Sequence, residues 1–212
     1  MPTGDQKLTG LLFSESMSGY FLEDTSDCRL GWKTGRQRRN RIAFRARITI
    51  DDLQRFVDEP AHLARLEGEL DYGDLGTALP FENGRFHLFI FDAADAMRKM
   101  VYRFQFHSAS GQPYLFLGEK EIHRERSRAE VLKDMTTLYT RIYHGDSTQG
   151  KVAAAGILHF KTVSLPAFLA SQKALNASSA RERIGAHVQF LRFAARELNT
   201  VYGTGDAQAS AL

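Results

Sequence analysis

The segment RIAFRARITI, residues 41–50, constrains this chain more than any other. Ile42, Phe44, Ala46, Ile48 and Ile50 share one parity, while Arg41, Arg45, Arg47 and Thr49 share the other. A period of two with one apolar side is a β-strand with one face in a core and one in water. The same alternation returns along the chain. From Arg65 to Tyr72, Leu66, Leu70 and Tyr72 oppose Arg65, Glu67, Glu69 and Asp71. Met100, Tyr102, Phe104 and Phe106 alternate with Lys99, Arg103, Gln105 and His107, and SASGQP then turns the chain into YLFLGEKEI. That pair reads as a hairpin. Arg85 to Asp92 is nearly all apolar, which predicts cover on both faces. Thr136 to His144 and Val152 to Thr162 complete the strand signals.

About eight or nine successive antiparallel strands imply an all-β meander, a barrel or a sandwich that closes or nearly closes. Helix signals are few. Asp51 can cap a short helix with Leu53 and Phe56 facing inward and Pro60 ending it. Ser164, with Pro166 behind it, can open another. Ser179 and Glu182 form a capping-box pattern before a long C-terminal amphipathic helix. In it Ile184, Val188, Leu191, Ala195, Leu198 and Tyr202 recur at spacings of four and three, a one-sided stripe that should lie on the sheet or on a partner; packing on the sheet predicts that Leu191 and Leu198 are buried. Gly203 ends the helix. No change of composition divides the chain, so residues 1–203 read as one antiparallel β domain and residues 204–212 as a disordered tail. Glu23 to Asn40 reads as one long irregular segment.

Composition narrows the functional classes. Cys28 is the only cysteine, which excludes an intrachain disulfide and a cysteine-rich metal site. The N-terminus lacks the basic and apolar regions of a signal peptide, and no run reaches the roughly 18 apolar residues of a membrane span. A cytoplasmic location is the expectation. The net charge of +3 is too small to imply nucleic acid. The basic run Lys33 to Arg41 has only Trp32 for stacking, so no specific nucleic-acid binding is expected.

No motif names a reaction. The serines of LLFSESMSGYF lie in no G-x-S-x-G turn, and a strand bending at Ser18 and Gly19 accounts for them. The seven histidines show no ligand spacing, so no metal site is expected. No glycine-rich phosphate loop opens a helix, and no cofactor is assigned. Glu15 is the odd residue, because its parity is that of Leu11 and Phe13. A carboxylate on an apolar face needs a partner, and Arg45, Arg103 and Arg141 are the cations considered. Inward-facing small residues at Ala46, Gly68, Gly118, Ala154 and Gly156 serve either close packing or space for a ligand. The ligand reading assigns Gly118 and Gly156 to the wall of a cavity and Glu15, Tyr102 and Tyr139 to its polar contacts.

Six segments in order resemble an accessory β domain found with bacterial glucose–methanol–choline (GMC) oxidoreductases of the cholesterol-oxidase type. They are LTGLLFSESMSGYF, ITIDDLQRFVDEPAHLARLEGEL, FENGRFHLFI, MVYRFQFHSASGQPYLFLGEKEI, DMTTLYTRIYHG and AAAGILHF, running from Leu8 to Phe160. The resemblance lies in strands rather than catalytic residues. It implies an accessory module working beside a GMC-type oxidoreductase, carries over no defined activity, and lends no flavin site, since the dinucleotide fingerprint is absent. Three functional readings follow. The first is a binding domain for an apolar small molecule, such as a lipid or sterol. The second is an enzyme with its site inside the barrel. The third is a protein-interaction module using the final helix. A deep apolar cavity favours the first, paired ionisable groups in a cavity the second, and a filled core with an exposed helix face the third.

Overall fold

The computed structural model describes residues 8–94, 97–123, 128–160 and 171–202. The expected tail and the expected helix start at Ser164 and Pro166 fall outside these residues.

The alternation resolves into a closed antiparallel barrel. Its strands are β1 (Gly10–Glu23), β2 (Arg41–Ile50), β3 (Leu63–Tyr72), β4 (Gly76–Asp92), β5 (Met97–His107), β6 (Pro113–Ile122), β7 (Thr137–His144) and β8 (Val152–Phe160). Each pairs with the next, and β1 closes the ring between β8 and β2. A short β9 (Lys173–Leu175) adds to the start of β1. Closure removes the sheet edges that would otherwise template aggregation. β1 achieves it by changing partners along its length: Leu11 to Tyr20 pair with β2, and Met17 to Glu23 pair with β8. Ser14 and Ser16 point outward to water, so the serines sit on the wet side of a closing strand.

The inward parity is aromatic and tightly filled. Phe104 stacks between Phe81 and Phe116, at centroid distances of 4.0 and 4.3 Å. Phe44 meets Phe104 and Phe116 edge-on. Gly68 lets β2 and β3 approach: its φ is +157°, and a Cβ there would lie 2.0 Å from the Arg45 carbonyl oxygen. In β4 the two-sided cover predicted from Arg85 to Asp92 is partial. Phe86, Leu88 and Phe89 are buried, but Arg85 and Phe91 are exposed. A register shift between His87 and Ile90 lets Leu88 and Phe89 both turn inward.

The described residues also form α1 (Cys28–Arg38), α2 (Leu53–Asp58), α3 (Arg128–Thr136) and α4 (Ala180–Tyr202). α1 lies where an irregular segment was expected. Asp27 caps it by accepting from the Arg29 and Leu30 N–H groups. Its buried face is Cys28, Gly31 and Gly35, so the backbone itself packs on the barrel. A Cβ at Gly31 or Gly35 would fall 2.0 Å from the carbonyl oxygens of Ala155 and Phe21 respectively. The apolar periodicity that signals a helix is therefore missing, because glycine carries the packing. Helix α2 is capped by Asp52 rather than Asp51, with Leu53 and Phe56 buried as expected.

Helix α4 begins as predicted, with the Glu182 N–H donating to Ser179 Oγ. Its orientation departs from the expected inward stripe at Ile184, Val188 and Leu191, whereas Leu198 packs against the core. Ala186, Phe190, Phe193 and Glu197 face the barrel, while Ile184 and Leu191 are 65% and 51% exposed and Val188 also faces solvent. Leu198 is half-buried. The buried set has its own helical spacing of four, three and four, and its two phenylalanines contribute more contact area than the leucine stripe would. Phe193 packs on Phe56, His62 and Phe89, and Phe190 packs on Phe13, so the helix and α2 close one end of the barrel. Glu197 is held there by Arg98 at 2.8 Å. No helix among the described residues is long and apolar enough to cross a membrane.

Candidate functional site

Inside the barrel, parity places three polar groups where only apolar ones would be expected. Glu15 comes inward with Leu11, Phe13 and Met17 on β1. Tyr102 comes inward with Phe104 and Phe106 on β5, and Lys120 with Phe116 and Gly118 on β6. They converge. Tyr102 Oη donates to Glu15 Oε2 at 2.8 Å, and Lys120 Nζ donates to Glu15 Oε1 at 2.8 Å. The ammonium also sits 5.0 Å from the centre of the Tyr102 ring. Exposure is 7% for Glu15, 1% for Tyr102 and 4% for Lys120.

The electrostatics follow from that burial. An isolated carboxylate or ammonium here would carry several kcal/mol of desolvation cost, and the mutual pairing offsets it. Burial, and then the charge and hydrogen bond of Glu15, push the Tyr102 hydroxyl well above its ordinary value. Tyr102 is thus a neutral donor. The cation is Lys120, not Arg45, Arg103 or Arg141. Arg45 pairs outside with Glu69 and Asp71, and the Arg141 guanidinium donates to the Ser26 carbonyl. Lysine was missed because GEKEI reads as a polar strand end; only the parity Phe116, Gly118, Lys120 points it inward.

Of the other residues assigned to the ligand site, Tyr139 lies on the outer face, beside Trp32 and the Cys28, Ala155 and Ile157 cluster under α1. It does not join Glu15. Gly118 faces Leu138, whose Cδ2 would be 2.9 Å from an added Cβ. A Cβ at Gly156 would fall 2.2 Å from the Tyr20 carbonyl oxygen. Protein atoms therefore occupy the space beside both glycines. The interior gap bounded by Phe21, Ile42, Thr140, Ile142, Ala154 and Leu158 has no room for a water molecule. The triad ties β5 and β6 to β1 across the barrel interior.

The basic segment is divided by α1. Trp32 stacks edge-on against His159 at 6.2 Å, and Arg36 covers the indole at 5.4 Å. Burial lowers the His159 pKa, which keeps that ring neutral. No group of three or more metal-binding side chains occurs among the described residues.

Two features remain outside the barrel. One is the exposed stripe of α4. The other is a groove of about 840 Å³ running from α2 across β3, β4 and β5.

Comparison with family models, curated proteins and solved structures gives no match.

Proposed function

We propose that this protein is a non-enzymatic accessory module that docks a partner protein through α4. The carrying observation is the exposure of Ile184, Val188 and Leu191 on a helix already anchored by its opposite face. The protein atoms beside Gly118 and Gly156, and the pairing of Glu15 with Lys120, support this reading over an internal lipid or sterol at those residues.

The occupant is an acidic amphipathic helix. The spacing of Ile184, Val188, Leu191, Ala195 and Leu198 is that of a coiled-coil seam. Arg181 and Arg192 flank it on one side and His187 on the other. The two acidic residues of the helix turn away. Glu182 accepts from the Ser178 N–H, and Glu197 is buried against Arg98. A second copy of this face would set Arg192 against arginine with no carboxylate between, whereas flanking Glu or Asp on a partner helix complements it. A GMC-type oxidoreductase is the partner that the sequence resemblance suggests.

A synthetic helical peptide with Leu at its heptad core positions and Glu beside them tests this. Titrated by fluorescence anisotropy, it should bind the parent saturably and lose at least tenfold in affinity for Leu191→Glu, as for a central interface anchor. Equal binding by both proteins would refute the docking face. Self-association in sedimentation runs, abolished by the same change, would favour a second copy instead.

A further inference from the structure

We infer that the outer groove binds a monocarboxylate with an apolar body, gripped by Arg85 and Arg103. The sheet register carries this. Arg85 is the direct partner of Arg65 on β3 and of Arg103 on β5, so arginines stand in a row across adjacent strands. Like charges directly opposed across strands destabilise a sheet. Arg65 is relieved by Asp51, at 3.1 Å, and by Glu67. Arg85 and Arg103 have no ion pair among the described residues, although both line the groove. Each guanidinium carries a fork of N–H donors that a planar carboxylate accepts.

The groove also selects against other anions. Glu67 and Glu82 line it, so a phosphate dianion meets more repulsion than a single carboxylate. Of its apolar lining, Leu63 is 45% exposed, while Phe56, Phe104 and Leu115 lie buried beneath the floor. Apolar surface next to a cationic pair suits a short acyl or aromatic chain ending in a carboxylate. This site is separate from α4, so it stands or falls independently of the docking face.

Titration calorimetry of the intact chain at low ionic strength tests the assignment, with sodium octanoate, octanol and inorganic phosphate as probes. Octanoate should bind saturably and more tightly than either of the others. Arg85→Gln and Arg103→Gln should each weaken it by about tenfold to a hundredfold, the worth of a hydrogen bond to a charged group. Arg103→Lys keeps the charge but not the fork and should also weaken it. Arg41→Gln, elsewhere on the barrel, should change nothing. Both glutamine variants should melt at or above the parent temperature, because a repulsion has been removed. Octanoate binding unchanged in both variants, or weakened equally by Arg41→Gln, would overturn the site. So would tighter binding of phosphate, or no octanoate binding.

Discussion

Lys120 Nζ lies 2.8 Å from Glu15 Oε1 inside the barrel, joining β6 to β1 across an apolar core. Buried pairs of this kind are costly to break and inexpensive to replace as a unit. Lys120→Met should therefore lose about 3–5 kcal/mol, since it leaves the Glu15 carboxylate without its cation. Glu15→Leu combined with Lys120→Met should recover most of that loss. Urea denaturation of the two single variants and the double variant measures it. Additive losses in the double variant would contradict the pairing.

Tyr102 sets an alkaline limit. Its hydroxyl stays protonated in the folded state at pH values where an unfolded tyrosine ionises, because burial and Glu15 raise its pKa. Such a group contributes stability that is fully present below the unfolded value, near 10, and is lost as pH rises towards the folded value. Stability should hold steady up to about pH 9 and fall above pH 10. Tyr72, also raised by burial, adds in the same direction. Tyr102→Phe should flatten the alkaline slope of the denaturation midpoint; an unchanged slope would place the proton elsewhere.

Helix α1 should be intolerant of any side chain on its inner face. Gly35→Ala puts a Cβ against the Phe21 backbone, so the helix must lift or β1 must shift. Overpacking of this kind costs about 1–3 kcal/mol. The control is Gly111→Ala in the β5–β6 turn, where no atom lies within 4 Å of the new Cβ. Its φ of +83° makes that change strained but not crowded, so loss of Trp32 fluorescence burial should accompany Gly35→Ala alone.

The two faces of α4 should separate in a stability assay. Phe193→Ala removes a ring packed on Phe56, His62 and Phe89 and should cost about 3–5 kcal/mol. Leu191→Asp changes an exposed position and should stay within about 0.5 kcal/mol of the parent. Chemical denaturation giving the reverse order would mean that the leucine stripe packs inward.

The barrel was legible in the sequence because strand parity is a local signal: residues such as Phe44, Phe104 and Leu158 face inward wherever the alternation is clean. The inward placement of Glu15 and of Tyr102 was legible for the same reason, but their direct hydrogen bond was not. The cation of Glu15 was not either, because β1 and β6 are not sheet neighbours, and the meeting of Glu15 with Lys120 across the interior is decided by closure of the whole ring. Helix α4 shows the other limit. Two apolar stripes share one helix, and periodicity cannot say which one meets the core; the larger rings of Phe190 and Phe193 won. Helix α1 escaped because glycines made its contact face.

Amide hydrogen exchange, measured with and without the acidic heptad peptide, tests the central claim that recognition happens on α4 and not within the barrel. The account predicts added protection confined to the residues of α4 around Ile184 to Leu198, with β1, β5 and β6 unchanged. Added protection of those three strands, or none in α4, would contradict it.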